Sequence, residues 1–166
     1  MLFLNPHKSN HCAYSPIRFD YEIQPESVCV NFFIPLNMAY INSHFSKEGF
    51  SNSGLWNFDV AEVFITRSKD LLPYLELQVS PARQKFALIV NEPRKKTMIP
   101  RNLHSTLSSS FEDKVFKANF NISLNDIPGE GNSLYANFFA IIGEESNRNY
   151  FAWNINQDPL PDFHKP

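Results

Sequence analysis

Glu62 and Glu76 are the residues of this sequence whose placement most invites chemistry. In "GLWNFDVAEVFITR", Gly54 to Arg67, strand alternation puts Trp56, Phe58, Val60, Glu62 and Phe64 on one face, with Ala61, Val63 and Ile65 on the other. In "YLELQVSP", Tyr74 to Pro81, it puts Tyr74, Glu76, Gln78 and Ser80 opposite Leu75, Leu77 and Val79. The connection "RSKDLLP" is short enough to make the two runs antiparallel neighbours. The register that buries both apolar faces together gathers Trp56, Glu62, Phe64, Tyr74, Glu76 and Gln78 on one patch. An aromatic floor with convergent carboxylates and an amide suits a sugar, whose C–H faces stack on rings while its hydroxyls need acceptors and donors. The same two carboxylates on adjacent strands admit an alternative, a hydrolase acting on glycosides through Glu62 and Glu76, since a retaining glycosidase holds its carboxyls about 5 to 5.5 Å apart. No glycosidase motif, nucleophile elbow or Gly-rich phosphate loop accompanies them. A third reading is a module whose aromatic face docks another protein.

Each of these residues also has a plain structural use. Trp56 is a candidate core residue, because aromatic rings dominate core burial. Phe58 and Phe64 read as packing residues, and Asp59 as an acceptor for nearby backbone N–H groups. Glu62 and Glu76 are harder to assign to packing, because acids are poor strand formers and are rarely buried unpaired.

The elements that must position this patch are strands. Runs rich in β-branched and aromatic residues cover Ser27 to Leu36, Leu55 to Thr66, Tyr74 to Val79, Lys85 to Val90, Val115 to Ser123, Leu134 to Ile142 and Asn149 to Ile155, separated by Pro, Asn, Gly and Ser clusters. Pro35, Pro73, Pro81 and Pro128 stand at run ends, where a missing N–H does no harm to a ladder. The pattern predicts an all-β fold, an antiparallel β-sandwich of jelly-roll or immunoglobulin-like type, with little helix. One domain is expected over residues 1–166, with residues 1–19 as an N-terminal extension and residues 92–110, basic and then Ser-rich, as a long surface loop.

Composition excludes some partners. Fifteen lysines and arginines against 17 acids, with no basic block longer than "PRKK", exclude a nucleic-acid groove built on phosphate contacts. No apolar stretch reaches the ~20 residues of a membrane helix. The start "MLFLNPHKSN" has no basic segment and no small-residue cleavage site, so no signal peptide is expected and a cytoplasmic location follows by default. In that setting Cys12 and Cys29 are expected as free thiols. His7, His11 and Cys12 have i, i+4 spacing but no second set of zinc ligands.

The spacing Leu55-Trp56-x-x-Asp59-x-x-Glu62-x-Phe64, followed by Tyr74-x-Glu76-x-Gln78-Val79-Ser80-Pro81, resembles the signature of DOMON-like, family 9 type carbohydrate-binding modules. The closing "YFAWNINQDPLPDFHKP" is similar to the end of small bacterial proteins of that group, with its Pro-Asp-Phe-His run at Pro161 to His164, and the resemblance spans about Asp20 to His164. It implies a sandwich of two antiparallel sheets that takes a mono- or oligosaccharide on a concave face without catalysis. Trp56 falls at the position of the first sugar-stacking tryptophan and Glu62 at that of the hydroxyl-binding Glu, while Trp153 is a candidate for the second tryptophan. Glu76 and Gln78 hold the polar positions of the neighbouring strand in place of the Arg and Asn associated with sugar-binding members. His164 belongs either to the ties that hold the last strand or to the rim of the binding face, with Arg94 of the long loop as its partner. The resemblance also implies structural calcium in some members, for which "NDIPGEGN" at Asn125 to Asn132 is a candidate and also a good turn. Haem is held by Met with His or Lys in other DOMON relatives, and Met38, Met98, His44 and His104 are candidates outside any matching motif. No cofactor is otherwise expected.

Overall fold

The computed structural model of the 166-residue chain describes residues 1–10, 14–36, 49–50, 54–143, 147–156, 158–159 and 161–163. In chain order the strands are β1 (Leu2–Phe3), β2 (Asn5–Pro6), β3 (Arg18–Ile23), β4 (Ser27–Pro35), β5 (Gly49–Phe50), β6 (Val60–Thr66) and β7 (Tyr74–Val79). They continue with β8 (Gln84–Glu92), β9 (Lys96–Met98), β10 (Thr106–Glu112), β11 (Val115–Ser123), β12 (Tyr135–Ile142) and β13 (Asn149–Ala152). A 3₁₀ turn lies at Leu55–Asn57. Two sheets face each other, one in the order β1-β3-β4-β11-β10, the other in the order β2-β13-β12-β6-β7-β8-β5 with β9 beside β8. All pairings are antiparallel except the short one between β5 and β8. The chain is therefore an antiparallel β-sandwich, as its alternation predicts.

Alternation decides what fills the space between the sheets. Val28, Val30, Phe32 and Ile34 of β4 and Phe116, Ala118, Phe120 and Ile122 of β11 point inward from the smaller sheet. They meet Ala61, Val63 and Ile65 of β6 and Leu75, Leu77 and Val79 of β7 from the larger. Phe138 of β12 bridges the layers, with ring centroids 5.0 Å from Phe19 and 6.4 Å from Phe32.

Three expectations need correction. The run from Leu55 does not start as a strand: Gly54 at φ 88° turns the chain into the 3₁₀ turn, and pairing begins at Val60. Asp59 anchors that corner by accepting the Gly143 N–H at 2.7 Å. Residues 92–110 are not a loop throughout, since β9 and most of β10 lie there. β10 carries three serines of poor strand propensity, but all seven of its residues pair with β11, and Leu107 and Phe111 pack on the core. Residues 1–19 are not an appendage either. β1 pairs with β3 in one sheet, β2 pairs with β13 in the other, and Leu4 between them is buried with its N–H on the Ile17 carbonyl.

Candidate functional site

The face of the larger sheet that points away from the sandwich core carries the patch. In the β6–β7 ladder Glu62 is opposite Gln78 and Phe64 is opposite Glu76. The next strands out complete the surroundings, with Phe139 of β12 opposite Glu62, Leu88 of β8 opposite Glu76 and Phe86 opposite Gln78. Glu62 therefore stands between an amide and an aromatic ring, and Glu76 between Phe64 and Leu88. Glu62 is 2% exposed, Glu76 3% and Gln78 1%.

A second layer covers this face. The C-terminal segment crosses its β12 side, where the Asn137 side chain clamps the backbone of Asn154, donating to its carbonyl at 2.8 Å and accepting its N–H at 3.0 Å. Phe163 then lies on Phe139, with centroids 4.4 Å apart, and edge-on to Tyr150. Arg94, in the β8–β9 turn, reaches across to Asp162 at 3.1 Å. Trp56, held out by the 3₁₀ turn and 39% exposed, stands edge-on to Phe86 at 5.8 Å. Between these elements lies a cavity of about 450 Å³. Glu62, Glu76 and Gln78 are in its lining with Trp56, Phe64, Leu88, Arg94, Arg148, Tyr150 and Phe163.

The polar atoms on the floor are only partly satisfied. Gln78 Nε2 donates to Glu76 Oε1 at 2.7 Å. Glu76 Oε2 and Gln78 Oε1 are buried with no hydrogen-bond partner among the described residues, and at the rim the same holds for Arg148 Nε. Arg148 spends another N–H on the Asn57 carbonyl. Burial, and then the charge of Glu76, raises the Glu62 carboxyl well above the usual carboxylate range. Burial pushes Glu76 up to about 7, against the opposing hydrogen bond from Gln78. No cation pairs with either carboxyl among the described residues.

The other expected residues lie as follows. Tyr74 is fully buried below the cavity, stacked on Phe64 at 5.2 Å, and burial and then Glu76 and Glu62 raise its hydroxyl. Trp153 does not join Trp56, and this expectation is corrected: its ring packs on Phe138, Phe19 and Tyr21, so it lies on the sandwich side of the sheet, 37% exposed. Its parity with Phe151, a core residue, dictates that side. Phe163 sits on the outer face, and Asp162 pairs with Arg94. His164, His11, Cys12, Met38 and His44 lie outside the described residues. His7 bonds Ser9 and the Asp158 carbonyl, Cys29 is a free thiol, and Met98 is exposed on β9. In the 125–132 turn, burial would raise Asp126, but hydrogen bonds from Ser105 and His104 outweigh it and hold the carboxyl below its usual range. Among the described residues no three His, Cys, Asp or Glu side chains cluster as a metal site would require.

Arg148 and Asn137 line or build the site without having been singled out in the sequence. Asn137 carried a signal, as an amide on the outward parity of an otherwise apolar strand. Arg148 carried none, because it precedes β13 in a connection.

No known family model matches the sequence, and no curated protein matches it. Solved structures do match in fold. A Bacteroides uniformis protein named as a candidate carbohydrate-binding protein shares 13% identity over 98% of this chain and 82% of its own, with a TM-score of 0.72. A family 9 carbohydrate-binding module of Caldicellulosiruptor kristjanssonii, solved in complex with cellotriose, shares 14% over 94% of this chain and 74% of its own, TM-score 0.63. The same organism's family 9 module in complex with glucose shares 13% over 94% and 76%, TM-score 0.61. The chain has the fold of family 9 carbohydrate-binding modules.

Proposed function

We propose that this chain is a non-catalytic sugar-binding module that seats a mono- or oligosaccharide on the outer face of its larger sheet. The observation that carries the reading is the floor of the cavity, where Glu76 Oε2 and Gln78 Oε1 are buried without partners beside Glu62 and below a half-exposed tryptophan. An unpaired buried acceptor costs about 1 to 3 kcal/mol, and donors supplied by a ligand remove that cost. Trp56 offers the ring on which a sugar stacks, Glu62 and Glu76 accept from its hydroxyls, and Arg148 Nε donates to one of its oxygens. Neighbours in fold that were solved with glucose and cellotriose support a saccharide as the ligand class.

The charge state of the floor favours binding over hydrolysis. A retaining glycosidase keeps one carboxyl ionised as nucleophile and the other protonated as acid. Here burial moves both Glu62 and Glu76 the same way, and among the described residues no cation pairs with either one. A glycan array followed by calorimetry tests the reading. Saturable binding of a glucose-type sugar, with no release of nitrophenol from aryl glycosides, is the expected result. A folded protein that binds nothing on the array rejects it.

A further inference from the structure

The floor of the cavity is richer in hydrogen-bond acceptors than in donors. Gln78 Nε2 spends one of its two N–H groups on Glu76 Oε1. With both carboxyls ionised, as beside a cation, the unpartnered groups here are acceptors: Glu76 Oε2 and Gln78 Oε1, with the Glu62 carboxyl directly across the ladder from Gln78. A hydroxyl brings one donor and two lone pairs to such a place, so it satisfies one acceptor and turns lone pairs towards the others. An ammonium brings three donors and no lone pair. From this complementarity we infer that the ligand is an amino sugar with a free amine, whose ammonium sits on Glu62, Glu76 and Gln78 while its ring lies against Trp56. The inference rests on the sugar-binding reading and narrows it to a cationic class.

The charges around the cavity agree with this. Arg94 is paired with Asp162 and Lys95 with Glu92, so neither of these rim cations is committed to the floor. Arg148 gives an N–H to Asn57 and keeps Nε for an acceptor, which a ring or hydroxyl oxygen provides. Two ionised carboxyls side by side repel each other, no cation among the described residues pairs with either one, and a bound ammonium supplies an opposite charge. The flanking Phe64, Leu88 and Tyr150 exclude water from that contact and strengthen it.

The test is a calorimetric comparison of glucose, glucosamine and N-acetylglucosamine on the full chain at about pH 7, where the free amine is largely protonated. Glucosamine is expected to bind tighter than glucose by about tenfold or more, as charge-assisted hydrogen bonds replace neutral ones. N-acetylglucosamine, which has neither the charge nor the three donors, is expected to show no such gain. In Glu76→Gln and Glu62→Gln the preference for glucosamine should shrink to within about twofold. Should either variant fail to fold, the wild-type comparison alone decides. If glucose binds as tightly as glucosamine, the amine inference is wrong and the sugar-binding reading stands. If none of the three sugars binds, both fall. If Nα-acetyl-lysine methylamide competes as well as glucosamine, the site takes ammonium groups from peptides, and the amino-sugar inference is overturned.

Discussion

Glu76 accepts a hydrogen bond from Gln78 Nε2 at 2.7 Å, two residues further along the same strand. That bond is the one influence holding the Glu76 carboxyl down against burial. Gln78→Leu removes it and also removes the unpartnered Oε1. The Glu76 titration midpoint, followed by carbon NMR of the side-chain carboxyl, is expected to move above its present value of about 7. Stability should change little, because the replacement ends the burial of one unpaired acceptor, Gln78 Oε1, while leaving another, Glu76 Oε1.

The two carboxyls should also set the pH dependence of folding. Both have folded-state values raised above their unfolded ones, so the native state binds more protons and stability falls as pH rises through the window from about 4.5 to about 7. Thermal melts of the ligand-free protein are expected to show a higher Tm near pH 5 than near pH 8. Glu76→Gln should flatten the profile and raise Tm at the alkaline end. A Tm that climbs from pH 5 to pH 8 contradicts this account.

Trp56 and Leu55 are neighbours with opposite burdens. Leu55 is fully buried, whereas Trp56 is 39% exposed and, among the described residues, its ring meets Phe86 edge-on. Leu55→Ala is expected to cost about 2 to 5 kcal/mol by leaving a cavity. Trp56→Ala should cost well under that, roughly 1 kcal/mol, yet abolish measurable sugar binding. Paired melting and calorimetry on both variants separate a binding platform from a core residue.

Asn137 clamps the C-terminal segment through two part-buried hydrogen bonds to Asn154. Asn137→Ala is expected to accelerate amide exchange from Asn154 to Phe163 by tenfold or more, each lost bond being worth about 1 kcal/mol. Asp162→Ala, which removes a partly exposed ion pair with Arg94, should change that exchange much less, since such pairs are worth about 0 to 1 kcal/mol. Mass-resolved hydrogen exchange reads both.

Most of the sandwich was legible because alternation is a local property. Tyr74–Val79 and Val115–Ser123 could be read to the residue, and the pairing that sets Glu62 and Glu76 on one face followed from burying Ala61, Val63, Leu75 and Leu77 together. What escaped depended on distant partners. The serines of β10 become a strand only because β11 lies beside them, and Leu2–Pro6 only because β3 and β13 offer edges. Trp56 was placed on the right side for the wrong reason, since a turn and not strand parity presents it. The second layer over the patch was beyond reach of any period. It is built by a C-terminal segment without regular structure, fixed by single contacts such as Asn137 to Asn154 and Phe163 to Phe139.

The N-terminal residues serve both sheets, with Leu2–Phe3 along β3 and Asn5–Pro6 along β13. An unpaired strand edge is a template for another chain. One short segment therefore keeps two such templates capped at the same flank, and its loss would uncover both together with the pocket that Leu4 fills. The consequence is colloidal more than thermodynamic: shortening the chain at this end is expected to promote self-association edge to edge.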